Sequence, residues 1–328
     1  MILVTGGAGF IGANLLAGLE ANGIGPLAVC DRLGEDGKWR NIAKRELADI
    51  VAPDRLAAWL GSHGPKVRAI FHLGATTSTT ARHADEVVAN NFRFSRELWR
   101  WAAENDTALV YASSAAVYGD GTAGFDDDPA AEAMAKLRPL NVYGWSKLLF
   151  DRWVARAVAN GESCPPQWAG LRFFNVYGPN EYHKGAQQSV VPQLYEQIGT
   201  TGRATLFRSH HRDYPDGGQM RDFIHVDDCV DVMSWLLENQ RVTGIFNIGT
   251  GNPRTFDDMA AAVFAALGKS IRIDYIDTPE DIRAHYQYFT KAPMDRLRAA
   301  GYARPFRELE EGVRAYVRDF LDTPDRYR

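Results

Sequence analysis

The stretch Thr5-Gly6-Gly7-Ala8-Gly9-Phe10-Ile11-Gly12 follows the apolar run Ile2–Thr5 and precedes a helical pattern. Its glycines at positions 7, 9 and 12 have the spacing GxGxxG. We expect Gly7 to permit a tight turn, Gly9 to let the backbone approach a diphosphate, and Gly12 to let the helix pack closely on the strand. The helix N-terminus would offer N–H groups to the phosphates. The position between strand and helix therefore predicts a dinucleotide site, which the glycine spacing alone would not.

An acidic residue ends the next apolar run, Leu27–Asp31, roughly 20 residues beyond the glycines, where it is placed to bind the adenosine ribose. Arg32 follows it directly, and Lys38 lies in the same predicted loop. Cations beside the ribose favour a 2′-phosphate, although such a pair is often only solvated surface charge. The expected cofactor is NADP, with NAD as the alternative.

Short apolar runs alternate with longer helical patterns through the first half of the chain, as expected of βαβ units. The predicted strands are Ile2–Thr5, Leu27–Asp31, Ala69–Leu73, Ala108–Ser113 and Gly170–Phe174, and the predicted helices are Ala13–Ala21, Ala84–Glu104 and Ser146–Ala159. This rhythm predicts an α/β protein with a Rossmann doubly wound parallel sheet. Beyond residue 175 loops separate the predicted helices Val190–Gly199, Phe256–Leu267 and Phe306–Phe320, and the run Gly244–Ile248 is a further strand candidate. The looser pattern predicts a smaller second region.

Tyr143 and Lys147 stand four residues apart at the start of a helical pattern, so they share one helix face. Ser114 lies earlier, at the end of a predicted strand. A lysine ammonium group lowers the pKa of a neighbouring phenol, and a serine hydroxyl can hydrogen-bond a reacting alcohol. We interpret the three residues as a site where Tyr143 exchanges a proton while a nicotinamide exchanges a hydride. In an arbitrary sequence, we would instead interpret this spacing as a tyrosine and a lysine that pack one helical turn apart without a catalytic role.

The composition of the 328-residue chain, with 45% hydrophobic and 24% charged residues, is that of a globular protein. Its net charge of −4 argues against a nucleic-acid partner, and no apolar stretch is long enough for a membrane helix. Three scattered cysteines and an N-terminus without signal-peptide features favour the cytoplasm. His210 and His211 are adjacent and without a matching carboxylate, so we expect no metal.

Several segments together resemble the extended short-chain dehydrogenase/reductase family, and within it the epimerases of ADP-linked sugars. They are Tyr111-Ala112-Ser113-Ser114-Ala115-Ala116, Pro139-Leu140-Asn141-Val142-Tyr143-Gly144, Phe173-Phe174-Asn175-Val176-Tyr177-Gly178-Pro179, His183-Lys184-Gly185, Arg221-Asp222-Phe223 and Tyr286-Gln287. The discriminating segment is His183-Lys184-Gly185. The resemblance implies oxidation and re-reduction at C6″ of an ADP-heptose in the synthesis of lipopolysaccharide core precursors, and it implies a homo-oligomer of five chains.

The resemblance also implies roles for individual residues. Tyr143 and Lys184 would be the two acid/base groups, with Lys147 and Ser114 assisting them; alternatively, Lys184 only anchors a phosphate. The cofactor would contact Gly7, Gly9, Phe10, Ile11, Gly12, Asp31, Arg32, Lys38, Leu73, Gly74, Ala75, Thr76, Thr77, Asn90, Tyr143, Lys147, Val176 and Lys184. The ADP-sugar would contact Ser114, Asn175, Ala186, Gln193, Phe207, Arg208, Ser209, His210, Arg221 and Tyr286.

The implied domain division assigns residues 1–174, with about 221–250 and 283–293, to an NADP-binding domain. Residues 175–220, with about 251–282 and 294–328, would form a mixed α/β substrate-binding domain. Ala186, Gln193 and Arg32 depart from the serine, histidine and asparagine usual in the family, and the loop 209–219 is longer. These departures bear on the sugar more than on the fold.

Three other functions use much of the same sequence. A UDP-hexose 4-epimerase would share the glycine turn, Ser114, Tyr143 and Lys147, and would differ only in its substrate loops. A 4,6-dehydratase needs an acidic pair after the serine, where this chain has Ala115-Ala116. A sensor that binds NADP without turnover would not require the intact serine, tyrosine and lysine set.

Overall fold

The computed structural model describes residues 1–81, 83–283 and 287–328. Its strands are β1 (Ile2–Thr5), β2 (Leu27–Cys30), β3 (Asp49–Val51), β4 (Ala69–His72), β5 (Ala108–Ser114), β6 (Trp168–Phe173), β7 (Asn175–Tyr177), β8 (Ala204–Phe207), β9 (Met220–Arg221), β10 (Phe223–His225), β11 (Gly244–Ile248), β12 (Arg254–Thr255) and β13 (Ile273–Ile276). Its α-helices are α1 (Phe10–Ala21), α2 (Leu56–His63), α3 (Ala84–Val88), α4 (Phe94–Glu104), α5 (Ala131–Met134), α6 (Val142–Ala159), α7 (Val190–Thr201), α8 (Val226–Glu238), α9 (Phe256–Ala266), α10 (Glu280–Arg283), α11 (Asp295–Ala299) and α12 (Leu309–Tyr316). Two shorter helical segments matter for the site: Lys38–Ile42 and Tyr182–Gln187.

Seven strands form one parallel sheet in the order β11-β6-β5-β4-β1-β2-β3. The chain moves outward from β1 in one direction through β2 and β3, then returns to β4 on the other side. This reversal leaves a crevice beyond the carboxyl ends of β1 and β4, where doubly wound folds bind ligands. The predicted Rossmann fold is confirmed.

Alternate residues of the sheet face two separate layers of helices. Ile2 and Val4 pack with residues of α1 and α8, whereas Leu3 packs with residues of α2, α4 and α6. A third core lies outside the sheet and joins α7, α9 and α12 with Tyr177 and β8. The β8–β13 and β7–β10 pairs are parallel, and β9–β12 is antiparallel. The proposed residue boundaries of two domains remain a prediction.

The sequence pattern predicted strands β1, β2, β4, β5, β6 and β11 and the helical regions of α1, α3, α4, α6, α7, α9 and α12, but not the other described strands and helices. Strand β3 was not predicted, because it has only three residues and two of them are exposed. The predicted helix Ala84–Glu104 contains a π-helical turn, Ala89–Arg93, between α3 and α4. Helices α1 and α6 begin earlier than predicted, at Phe10 and Val142, so Tyr143 lies inside its helix. Within the described ranges, no helix combines the length and apolar character that a membrane span requires.

Candidate active site

A cavity of about 690 Å³ lies at the carboxyl ends of β1, β4 and β5, and we call it the Tyr143 cavity. The glycine turn, the segment after β4, the end of β5, the face of α6 and the Tyr182–Gln187 segment all contribute to its wall. Its lining includes Gly9, Phe10, Ile11, Gly12, Asp31, Lys38, Leu73, Gly74, Ala75, Thr77, Ser114, Tyr143, Lys147, Val176, Lys184 and Ala186. Residues predicted from separate parts of the sequence therefore meet around one space.

The left-handed conformation of the glycine turn occurs at Gly6, one residue before the first glycine of the GxGxxG spacing. The positive φ of +67° occurs at Gly6, where a Cβ atom would lie 2.5 Å from the backbone nitrogen of Gly74. The prediction that Gly7 provides the turn is therefore wrong; Gly7 instead packs against Val29, with no room for a Cβ. At Gly12 a Cβ would lie 2.2 Å from the carbonyl oxygen of Gly6, which confirms the close packing predicted there. The adjacent pair Gly6-Gly7 was the signal that spacing alone overlooked.

The glycine turn also fits a dinucleotide diphosphate. Helix α1 has Gly9 as its N-cap, so no side chain there competes for the N–H groups of its first turn. Gly9 and Gly12 both line the Tyr143 cavity, which brings bare backbone to its wall. A helix N-terminus of this kind attracts phosphate groups.

Tyr143, Lys147 and Ser114 come together through α6 and the end of β5. The side chain of Asn141 caps α6 by accepting a hydrogen bond from the backbone of Gly144 at 2.8 Å, which places Tyr143 in the first turn. One turn later, the Lys147 ammonium group donates to the carbonyl oxygen of Ala112 at 2.8 Å. The end of β5 thereby supports both Ser114 and the lysine.

The expected lowering of the Tyr143 pKa is wrong for this structure. Desolvation by the surrounding protein raises the pKa of Tyr143, and a hydrogen bond with Ser114 opposes the rise. The Lys147 ammonium group is directed to the Ala112 carbonyl, and burial lowers its own pKa to about 8. The neutral phenol is therefore the stable form of Tyr143, which suits a group that donates a proton.

Lys184 reaches the same cavity from the Tyr182–Gln187 segment. Its Nζ atom lies 5.2 Å from the centre of the Phe10 ring, on the helix that follows the glycine turn. Next to it, Nδ1 of His183 is hydrogen-bonded to the amide of Asn41 at 3.1 Å, and that amide also donates to the carbonyl oxygen of Ala8. Burial lowers the pKa of Lys184, while the charge of Glu181 opposes this. The predicted second acid/base candidate is thus tied to the glycine turn.

Asp31 forms more contacts than the sequence predicted. Its Oδ2 accepts from the backbone of Ala8 at 2.9 Å, and its Oδ1 accepts from the backbone of Arg32 and from Lys38 Nζ at 2.8 Å. The Lys38 cation therefore offsets the charge of Asp31. Arg32 is exposed, and the structure records no ion pair between it and any described residue.

A second cavity of about 780 Å³ shares Asp31, Lys38 and Gly74 with the first, and we call it the Trp101 cavity. Arg32, Thr76 and Asn90, three of the predicted cofactor residues, line it together with apolar side chains of α2 and α4. Asn90 donates to the hydroxyl of Thr76 at 2.9 Å. Of the predicted cofactor residues, Gly7 lines neither cavity.

Two buried polar residues, His72 and Asn91, hydrogen-bond the segments that line the two cavities, and the sequence analysis did not predict them. His72 is bonded to Thr5 at 2.7 Å and to Ser95 at 2.8 Å, and burial lowers its pKa to about 3. Asn91 accepts from the backbone of Thr76 at 2.8 Å and donates to Ser146 at 3.0 Å. The signal for His72 was its place inside the apolar run Ala69–Leu73, whereas the local pattern held no signal for Asn91.

The predicted sugar residues do not all reach the Tyr143 cavity. Ser114 and Ala186 line it, whereas Phe207, Arg208, Ser209 and His210 follow one another at the end of β8, and Gln193 is exposed on α7. Arg221 lies in β9 with its guanidinium group 5.6 Å from the Phe256 ring centre, and Asn175 is exposed in β7. Tyr286 lies outside the described residues. The roles of this set remain predictions.

Residues 2–249 match the NAD dependent epimerase/dehydratase family, and the chain belongs to this family. It is similar to the ADP-L-glycero-D-manno-heptose-6-epimerase of Nitratidesulfovibrio vulgaris (strain DP4), with 49% identity over 328 residues and 99% of each chain covered. It shares 43% identity with the protein of that name from Fusobacterium nucleatum subsp. nucleatum, covering 100% of both. The crystal structure of the Helicobacter pylori ADP-L-glycero-D-manno-heptose-6-epimerase superposes with a TM-score of 0.79 at 26% identity, covering 96% of this chain and 94% of that one.

Proposed function

We propose that this chain inverts C6″ of ADP-D-glycero-D-manno-heptose, in the synthesis of lipopolysaccharide core precursors. The observation that carries the proposal is the meeting of Tyr143 and Lys184, from separate parts of the chain, in one cavity with Ser114. Inversion requires proton transfer at the same oxygen in two opposite steps, so two acid/base groups suit it better than one. Full-length similarity to two ADP-L-glycero-D-manno-heptose-6-epimerases supports the choice of sugar.

A nicotinamide nucleotide held by the glycine turn and Lys147 would supply the hydride chemistry of the proposed mechanism, which is removal of a hydride from C6″ and its return to the other face. One of the pair Tyr143 and Lys184 accepts the hydroxyl proton as the alcohol becomes a ketone. The other delivers a proton to the carbonyl oxygen as the alcohol is restored. Ser114 hydrogen-bonds that oxygen, and Lys147 orients the cofactor ribose.

Substrate turnover is the direct test. Purified enzyme is incubated with ADP-D-glycero-D-manno-heptose, and the configuration at C6″ is followed by NMR. We expect an equilibrium mixture of the two epimers, without net consumption of the cofactor. If a folded, cofactor-loaded enzyme leaves this sugar unchanged but interconverts a UDP-hexose at C4, the proposed substrate is wrong. If it binds NADP and turns over neither sugar, the sensor function gains support.

We propose NADP as the cofactor of this NAD-dependent family member. Exposed Arg32 lines the Trp101 cavity beside Asp31, and the Lys38 cation offsets the charge of Asp31, so a 2′-phosphate there would meet net positive charge. A guanidinium group also matches phosphate geometry. Mass spectrometry of the cofactor released from the purified enzyme identifies the nucleotide.

Replacing Arg32 with alanine should weaken NADP binding by roughly 10-fold or more, the usual worth of a charge-assisted hydrogen bond, and leave NAD binding unchanged. Both affinities are measured by fluorescence titration of the cofactor-free enzyme. Arg40→Ala is the matched control, because exposed Arg40 is near in sequence but lines neither of the two cavities. Equal loss of NADP and NAD affinity in Arg32→Ala would contradict a phosphate contact.

A further inference from the structure

Glu181 is a fully buried acid three residues before Lys184, in the loop that leads into the Tyr182–Gln187 segment. The backbone nitrogen of Lys184 donates to the carbonyl oxygen of Glu181 at 3.0 Å, so the two residues belong to one turn. A buried carboxylate is costly unless its oxygens are satisfied by donors. The hydrogen-bond donors around the Glu181 carboxylate therefore indicate the role of this residue.

The carboxylate of Glu181 accepts hydrogen bonds from two neighbouring elements. Oε2 accepts from the backbone nitrogen of Ser189, and Oε1 accepts from the Ser189 hydroxyl at 2.7 Å. Oε1 also accepts from the backbone nitrogen of Gly178 at 3.4 Å. These groups lie just after β7 and just before α7, so the carboxylate bridges both ends of the loop that carries Lys184. All of them donate, as the ionised form of Glu181 requires.

The charge of Glu181 also acts on the lysine. Burial lowers the pKa of Lys184, and Glu181 is the group that opposes this fall. Burial likewise raises the pKa of Glu181, while Lys184 and Ser189 oppose the rise. Tyr316 of α12 is another neighbour of Glu181, and both burial and the charge of Glu181 raise the pKa of Tyr316.

We propose that Glu181 is a positioning residue for Lys184: its buried carboxylate fixes the loop that places the lysine in the Tyr143 cavity and supplies the negative charge that acts on the ammonium group. The inference rests on the proposed function, in which Lys184 is an acid/base group. The other ionisable groups around Lys184 are His183 beside it, Tyr182 and Tyr316 near Glu181, and Asp31, Asp36, Lys38, Tyr143 and Lys147, which line the same cavity.

The contrasting interpretation is purely structural. The hydroxyl of Ser189, the N-cap of α7, does not cap its own helix, and the carboxylate of Glu181 accepts from the backbone there instead. Such a cap would stabilise the fold without affecting the chemistry of Lys184. The two interpretations differ in their consequences for Lys184: only a positioning residue changes kcat and the pH at which Lys184 titrates.

The first experiment compares the pH dependence of kcat in the wild type, Glu181→Gln, Glu181→Asp and the control Glu196→Gln, an exposed acid on α7. Without the negative charge of Glu181, the pKa of Lys184 falls further. The part of the pH profile of kcat that reports the titration of Lys184, identified because it is absent in Lys184→Met, should therefore move to lower pH in Glu181→Gln. Displacement of the loop should also lower kcat, by up to roughly 100-fold for a shift of about 1 Å. Glu181→Asp should lower kcat but keep this part of the pH profile in place, because it retains the charge. Glu196→Gln should match the wild type.

The second experiment does not depend on turnover and separates this inference from the proposed function. The enzymes are acylated with acetic anhydride across a pH series, and modification of Lys184 is quantified by peptide mass spectrometry. Lys184 of Glu181→Gln should titrate at lower pH than in the wild type, even if the wild type proves inactive on the heptose. A lower unfolding midpoint with an unmoved Lys184 titration would overturn the inference. If Glu181→Gln does not fold, Glu181→Asp decides: a folded Glu181→Asp with a lower unfolding midpoint but the wild-type kcat contradicts the positioning role, and a lowered kcat supports it.

Discussion

Replacing Tyr143 with phenylalanine should lower kcat for epimerisation by roughly 100-fold or more, the scale of a lost general acid or base. The change removes only the phenol oxygen, which hydrogen-bonds Ser114 in the Tyr143 cavity. Cofactor binding should change little, because the turn and the cations near Asp31 are untouched. The measurement is the initial rate of C6″ inversion by NMR over a substrate series, with cofactor content determined on the same preparation.

The matched control is Tyr195→Phe. The Tyr195 hydroxyl donates to Asp322 at 3.0 Å at the surface, on a helix that does not line the Tyr143 cavity. Its variant should keep wild-type kcat. If Tyr143→Phe retained more than roughly a tenth of the wild-type kcat, proton transfer by Tyr143 would be ruled out as a major contribution to the rate.

Lys184→Met tells the two possible roles of the lysine apart. An acid/base group should cost roughly 100-fold in kcat when removed, whereas a phosphate anchor should raise KM and leave kcat near the wild-type value. The pKa of Lys184, lowered by burial, is what a proton-transfer group needs and what a phosphate anchor does not. We therefore expect the loss to appear in kcat.

The sequence predicted those parts of the fold and site that depend on local patterns. The β1–turn–α1 unit follows from apolar and glycine spacing, and Tyr143 and Lys147 share a helix face because they are four residues apart. Lys184 required family resemblance, because nothing in its local pattern places it beside Phe10. The parallel, doubly wound character of the sheet followed from the alternating rhythm combined with the crossover rule, whereas the order of its strands was not predicted.

What could not be predicted depends on burial and on distant partners. The close approach of Gly74, a residue far along the chain, leaves no room for a side chain at Gly6. The pKa of Tyr143 rises because desolvation outweighs its hydrogen bond, and a helical wheel contains no information on desolvation. Glu181 resembles an ordinary loop acid until its two oxygens are seen to accept from both ends of the loop.

The buried pair Arg172 and Asp151 lies below the site, linking β6 to α6. Arg172 Nε donates to Asp151 at 2.9 Å, and neither side chain is exposed to solvent. Asp151 also accepts from Ser113 at 2.9 Å and from Tyr111 at 3.2 Å. It stands one turn after Lys147, and Ser113 precedes Ser114. The pair therefore connects the sheet to the helix that carries the tyrosine and the lysine.

Replacing Arg172 with leucine should destabilise the fold by about 3–5 kcal/mol, because it leaves the Asp151 carboxylate buried without its counter-charge. The midpoint of urea unfolding, read by circular dichroism, measures the effect. The double variant Arg172→Leu/Asp151→Leu should recover much of the loss, since the cost comes from the unpaired charge rather than from the missing attraction. The surface pair Arg203 and Asp274, half-exposed, is the control, and Arg203→Leu should leave the midpoint unchanged. If the double variant is as unstable as the sum of the two single variants, the pair contributes by packing, and the charge argument fails.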